Sequence, residues 1–211
     1  MLYNSSMEGQ EYLNQISAAA KPKKQASDSR FSKSTLIIGG VVALVLLIAM
    51  IIFGAILGGN KDKEKNAGIA LALHLKNTSE IIQDYQQYIR SSNLRSSSSS
   101  LMSITTDTNR NLINYLTEKY NYKEKDVDSN ILEQATLEKD GLESELFEAK
   151  INGILDRIYA HKMAYEISSL MSEETRLMDL TKVEALDELL KTSFDSLNVL
   201  YENFNSFSET K

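Results

Sequence analysis

The chain has 211 residues, with 23 basic and 29 acidic side chains, one proline and no cysteine. The lack of cysteine excludes a disulfide framework, a thiolate nucleophile and a zinc–thiolate site. Residues 1–34 carry five basic and three acidic side chains, residues 35–60 carry none, and residues 61–211 carry 18 basic and 26 acidic. The acidic main segment lacks the basic surface that a phosphate backbone requires, so we expect no nucleic-acid partner.

A long apolar run follows the polar first 34 residues. Leu36 to Leu57 are 22 residues without a charge, a side-chain amide or a proline. At about 1.5 Å per residue such a helix spans roughly 33 Å, enough to cross a hydrocarbon core of about 30 Å. Residues 35–57 are therefore predicted to form one transmembrane helix. The main alternative, a cleaved signal peptide, has a shorter apolar region and a small-residue cleavage site, so an uncleaved signal anchor is favoured.

The charges that flank the run predict its orientation in the cell membrane. Five Lys or Arg residues closely precede the run, and three Lys residues closely follow it. Because basic residues favour the cytoplasmic side, we expect a cytoplasmic N-terminus and an extracytoplasmic C-terminal domain. The opposite topology, with a cytosol-facing adaptor domain, is the alternative. Residues 1–34 are expected to be a disordered tail and residues 58–65 a charged spacer.

Gly54 and Gly58 have the four-residue spacing that lets two membrane helices approach closely. They are the candidate contact residues for a homodimer formed through the transmembrane helix. Glycine is also common in membrane helices that make no such contact, and that interpretation stays open.

Residues 66–211 have helical periodicity and no convincing alternation of the kind found in strands. The predicted fold class is all-α: a single transmembrane helix followed by an antiparallel bundle of four or five helices. The helices are expected at about 66–93, 101–120, 130–150 and 154–179, with a fifth after Thr181. Seven serines within residues 91–100 predict a loop or a frayed junction. Ser129 is expected to cap the third helix, and Asn152-Gly153 to end it.

The fifth helix has the clearest pattern. Apolar residues recur alternately three and four positions apart from residue 183 to residue 207, and Ser193 is the one polar member of the series. Thr181 and Glu184 have the spacing of a capping box. Leu197, central in this seam, is expected to be fully buried against the fourth helix.

Residues suited to chemistry are sparse. His161 lies off the apolar stripe of its helix and is expected to be exposed, whereas His74 is expected to be partly buried. Neither has the glutamate three positions earlier that di-iron bundles require. The carboxylate clusters have the spacing of solvated helix faces: Glu173 with Glu174, and Glu143 with Glu145 and Glu148. We therefore predict no catalytic residue, no cofactor and no metal ligand, and a protein that is not an enzyme.

The C-terminal quarter resembles a known family through four short segments: Leu155-Asp156-Arg157-Ile158-Tyr159, Met163, Leu186-Asp187-Glu188-Leu189-Leu190-Lys191 and Phe194-Asp195-Ser196-Leu197. They are similar to the last two helices of uncharacterised bacterial exported proteins that form ferritin-like four-helix bundles. The family's inner histidine is replaced here by Glu166 and Ile167, and its closing histidine by Leu200. The resemblance implies an up-and-down bundle without the family's histidines. The overall layout also resembles uncharacterised single-pass membrane proteins of small-genome bacteria.

Two functional hypotheses follow. The first is a membrane-anchored extracytoplasmic bundle that works without catalysis, as an interaction or envelope-structural module. Its partners are then the lipid bilayer and a protein or cell-envelope component of unknown identity. The alternative is a degenerate ferritin-like bundle that binds a metal or another ligand.

Overall fold

The computed structural model describes residues 60–207, and this part of the chain is all-α without a strand. Its helices are α1 (Asn60–Tyr85), α2 (Ser92–Tyr120), α3 (Ser129–Ile151), α4 (Leu155–Leu180) and α5 (Glu184–Asn205). The predicted all-α bundle is confirmed for these residues. No helix among residues 60–207 is long and apolar enough to cross a bilayer. The predicted transmembrane helix at 35–57, with Gly54 and Gly58, and the predicted tail at 1–34 lie outside the described residues.

Helices α1, α2, α5 and α4 form a closed four-helix bundle, and α3 packs on the outside of this bundle. The main packing pairs are α1 with α2, α2 with α5, α5 with α4 and α4 with α1, and α3 packs against α1 and α4. Helices α1 and α4 are antiparallel. Glu64, near the start of α1, bonds Thr181 just after α4, and Ser91, which follows α1, bonds Asp156 near the start of α4. In contrast, α3 runs parallel to α1, because Asn77 bonds Ala135 and Tyr85 bonds Glu143.

The first helix begins at Asn60, six residues before its predicted start, so most of the predicted 58–65 spacer is helical. Within this charged segment, Glu64 is only 6% exposed and lies against α2. Farther along α1, Gly68 is buried, and a Cβ atom there would lie 2.9 Å from Leu116 of α2. The missing side chain at Gly68 thus allows the two helices to approach.

Residues 92–100 of the serine-rich segment lie inside α2, so the predicted loop or frayed junction at residues 91–100 is wrong. Ser91 caps the helix by accepting a hydrogen bond from the Leu94 backbone N–H. Ser98 is fully buried, and its Oγ donates to the Leu94 carbonyl oxygen at 2.8 Å. Hydroxyls that bond the preceding turn in this way leave no unmet donor inside the protein. The buried residues of α2 continue the helical spacing through the serines: Leu94, Ser98, Leu101, Thr105, Thr108, Leu112 and Leu116.

The helix ends agree only partly with the predicted caps. Gly153 has a φ of +71°, which an L side chain rarely adopts, so the predicted break at Asn152-Gly153 is confirmed. At the start of α3 the cap is Asp128 rather than Ser129. The predicted capping box of Thr181 and Glu184 is also wrong, because α5 begins with Val183 at its cap position and no side-chain cap bond. Instead, the Thr181 hydroxyl donates to Glu64, 3.3 Å away.

The predicted seam of α5 is confirmed. Its buried members are Leu186, Leu190, Ser193, Leu197, Leu200 and Phe204, and Val183 and Phe207 are partly buried against the core. The polar member, Ser193, accepts a hydrogen bond from Thr108 of α2 at 3.0 Å. That bond explains how a serine is tolerated in an apolar seam.

We expect Leu197→Ala to lower the free energy of unfolding by about 2–5 kcal/mol, because lost apolar contact adds to an unfilled cavity. Leu197 is 0% exposed, whereas Val199 two residues later is 63% exposed and serves as the control. Val199→Ala should change stability by no more than about 0.5 kcal/mol. The measurement is urea unfolding of a soluble 60–211 fragment, followed by circular dichroism. Equal losses in the two variants would contradict the seam.

Candidate functional site

The most unusual polar group of the bundle is His74, which lies between α1 and α4. Its Nε2 atom is 2.8 Å from a Glu166 oxygen, and its Nδ1 atom is 3.0 Å from a Glu173 oxygen. The His74 side chain is 13% exposed, so its predicted partial burial is confirmed. The sequence did not predict the two carboxylate partners, which lie seven residues apart and therefore on one face of α4.

The carboxylates around His74 favour its charged form. Burial alone would lower the pKa of His74, but the charges and hydrogen bonds of Glu173 and Glu166 raise it well above the usual 6.5. Glu138 of α3 is a further carboxylate in this environment; burial raises its pKa, and Gln134 donates a hydrogen bond to it at 2.9 Å. At neutral pH His74 is therefore an imidazolium that links α1 to α4 through two ion pairs.

Glu174 lies entirely inside the bundle, so its predicted place on a solvated face is wrong. Its side chain is 0% exposed, and neither carboxylate oxygen has a hydrogen-bonding partner among the described residues. Burial raises the pKa of Glu174 to about 7, and the nearby Ser193 hydroxyl offsets only part of that rise. A buried carboxyl without a partner is most stable when it is protonated, so Glu174 changes charge near neutral pH.

A second polar cluster joins three helix ends around Glu64. The Glu64 carboxylate accepts hydrogen bonds from the Tyr115 hydroxyl and from Lys119 Nζ, the latter at 2.8 Å. Burial alone would raise the pKa of Glu64, but these two hydrogen bonds outweigh it and lower the pKa. The Lys119 ammonium also lies 5.1 Å and 5.3 Å from the ring centres of Tyr115 and Tyr120. This cluster fastens the start of α1 to the end of α2 and to the α4–α5 connection.

Both ring nitrogens of His74 are occupied by ion pairs between helices. A general base needs a ring nitrogen free to take a proton, and both nitrogens of His74 are engaged with carboxylates. His161 is exposed, as predicted. Within residues 60–207 no group of three or more His, Asp or Glu side chains is arranged to hold a metal ion. Glu145 and Glu148 are exposed, as predicted, and Glu145 forms an ion pair with Lys162.

Comparison with protein-family models, with curated proteins and with solved structures finds no match to this chain. The resemblance of the C-terminal quarter to a ferritin-like family therefore stays a prediction.

The raised pKa values of Glu174 and His74 predict that the contribution of these two groups to stability falls as pH rises. The folded pKa of Glu174 is about 7, which is above its unfolded value of 4.5. The cost of burying the ionised carboxylate therefore grows as pH rises from 4.5 to 7, to about 3 kcal/mol in total. The folded pKa of His74 is also raised, so its contribution is complete below pH 6.5 and is lost as pH rises through the folded value. The measurement is the urea concentration at the midpoint of unfolding of the 60–211 fragment, taken from pH 4.5 to pH values above 7.

Three variants separate these contributions. Glu174→Gln should remove the fall between pH 4.5 and 7, because it has no charge to bury. His74→Gln should lower stability at pH 6 by about 3 kcal/mol, because it leaves Glu166 and Glu173 without their cation. His161→Gln, at an exposed position, is the matched control and should leave the profile unchanged. A profile that stays the same in all three variants would show that neither buried group carries the pH dependence.

Proposed function

We propose that this protein is a membrane-anchored, extracytoplasmic helical bundle that acts by contact with another protein or envelope component and not by catalysis. The observation that carries the proposal is the outer surface of α3. Six large hydrophobic side chains are exposed among residues 60–207, and four of them lie on α3. Such residues are ordinarily scattered singly over a surface, so their concentration on one helix favours an interaction site.

The interior supports the non-catalytic part of the proposal. The buried residues form one apolar cluster that draws on all five helices. His74, the buried group best suited to acid–base chemistry, is committed to its two carboxylates. The apolar run at residues 35–57 supports the anchor, and the flanking charges support the orientation.

The absence of cysteine gives a direct test of the topology, since one introduced cysteine is a unique label. We expect Ser144→Cys, at an exposed site on α3, to react with a membrane-impermeant maleimide in intact cells. Ser27→Cys, on the predicted cytoplasmic tail, should react only after the cells are permeabilised. The opposite pattern would place the bundle in the cytosol and contradict this part of the proposal.

The same approach tests the contact itself. A photoreactive maleimide is attached in native membranes to one of three exposed positions: Ser100→Cys on α2, Ser144→Cys on α3 or Asn203→Cys on α5. We expect illumination to give a discrete adduct of higher mass from at least one position, because an interaction module spends time against its partner. No adduct from any position, in membranes where the protein is intact, would contradict a contact function.

A further inference from the structure

The third helix has buried apolar residues on its inner side. On its outer side, exposed apolar residues (Leu137, Phe147 and Ile151) alternate with Glu133, Asp140 and Ser144. Its buried residues, Leu142, Leu146 and Ala149, face the bundle. On the opposite side, positions 133, 137, 140, 144, 147 and 151 follow one another at alternating spacings of four and three, the spacing of a helix–helix contact stripe. A surface helix normally has apolar residues on one face only, so three large apolar side chains on the solvent side of α3 are unusual.

The apolar members of this outer stripe are well exposed. Leu137 is 63% exposed, Phe147 54% and Ile151 68%, and Leu132 lies beside the stripe at 45%. We call the outer stripe together with Leu132 the α3 outer face. Most other large apolar side chains among residues 60–207 are buried or partly buried. The exposure on α3 has a cost, because each exposed side chain keeps apolar area in water.

The charge on this side of α3 has one sign. Glu133, Asp140 and Glu148 are exposed, whereas Glu145 pairs with Lys162 of α4. The two basic residues of α3 are partly buried and engaged elsewhere: Lys139 forms an ion pair with Glu80 at 2.6 Å, and Lys150 lies 3.2 Å above the ring centre of Tyr88. The α3 outer face is thus apolar and acidic, and its complement is apolar and basic.

This charge pattern disfavours a second copy of the chain. An antiparallel pairing of two α3 helices centred on Ser144 sets Asp140 of one copy opposite Glu148 of the other. A parallel pairing in register sets Asp140 opposite itself. Like charges directly opposed across an interface are destabilising, and both arrangements contain them. An anionic lipid surface is disfavoured for the same reason.

We propose that the α3 outer face is the docking site for an amphipathic helix of a partner protein, one with Lys or Arg residues flanking an apolar stripe. Leu137, Phe147 and Ile151 pack into that stripe, and the exposed carboxylates pair with its basic residues. This proposal rests on the proposed contact function and names the chemistry of the partner.

The test uses the full chain in nanodiscs of zwitterionic phosphatidylcholine, with empty nanodiscs as the background. The probe is a fluorescent designed helix with leucine at every stripe position and lysine on both flanks, and its counterpart has glutamate in place of each lysine. We expect the basic peptide to bind about tenfold or more tightly than the acidic one, with a difference that shrinks as salt rises. Equal binding of the two peptides overturns the proposal.

Matched variants locate the site. The double variant Leu137→Ser and Phe147→Ser should weaken binding of the basic peptide about tenfold or more, since the central apolar anchors dominate such contacts. Val199→Ser on α5 removes an equally exposed side chain, 63% for both Val199 and Leu137, and should leave binding unchanged. Equal losses in the two variants, with helicity retained by circular dichroism, overturn the proposal.

Two further outcomes separate this inference from the proposed function. A photoadduct that forms only from Ser100→Cys or Asn203→Cys overturns docking on α3 while a contact function stands. Self-association of the full chain that the double variant abolishes, measured by analytical ultracentrifugation, assigns the face to a second copy and overturns a basic partner.

Discussion

Three carboxylates of α4 are buried or partly buried against the neighbouring helices, and these helices are arranged to accommodate their charge. Glu166 and Glu173 share the imidazolium of His74, which α1 supplies. Glu174, one residue farther, has no such cation and is accommodated by protonation, with a pKa of about 7. Because α4 contacts α1, α3 and α5, a change in the ionisation of this one helix reaches most of the packed interfaces.

The polar clusters respond to pH in opposite directions. The lowered pKa of Glu64 stabilises the fold above its unfolded pKa and loses that effect as pH falls. The raised pKa values of His74 and Glu174 have the reverse effect, since both favour the proton-bound form of the folded protein. The charge arrangement therefore favours the bundle most under mildly acidic conditions, in which Glu64 is ionised and the other two groups hold their protons.

The sequence predicted the helices more reliably than the buried polar groups, for physical reasons. The seam of α5 could be predicted because apolar side chains recur on one face over six turns, and only burial explains that pattern. The serines of α2 were misleading because a hydroxyl that bonds its own helix backbone can occupy a core position, as Ser98 does. The burial of Glu174 could not be predicted, because a pair of adjacent glutamates in a helix has the same local sequence pattern whether the second one is buried or exposed to solvent.

His74 shows a different limit of prediction from the sequence. Its partial burial could be predicted from the apolar residues on either side of it, but its partners lie 92 and 99 residues away along the chain. The register between α1 and α4 sets that pairing, and register depends on how complete helix faces fit together. The α3 outer face was equally hidden, because a helix with apolar residues on its inner and outer sides has a weak periodic signal.

The chain direction gives α3 a distinct position in the fold. Helices α2 and α4 run the same way on opposite corners of the four-helix core, so the chain must return along the full length of the core between them. Helix α3 is that return path. Its inner side is constrained by the core, whereas its solvent side can diverge without repacking the interior. Related chains that arise by duplication can therefore keep one interior and acquire different recognition properties through a few substitutions in this crossover.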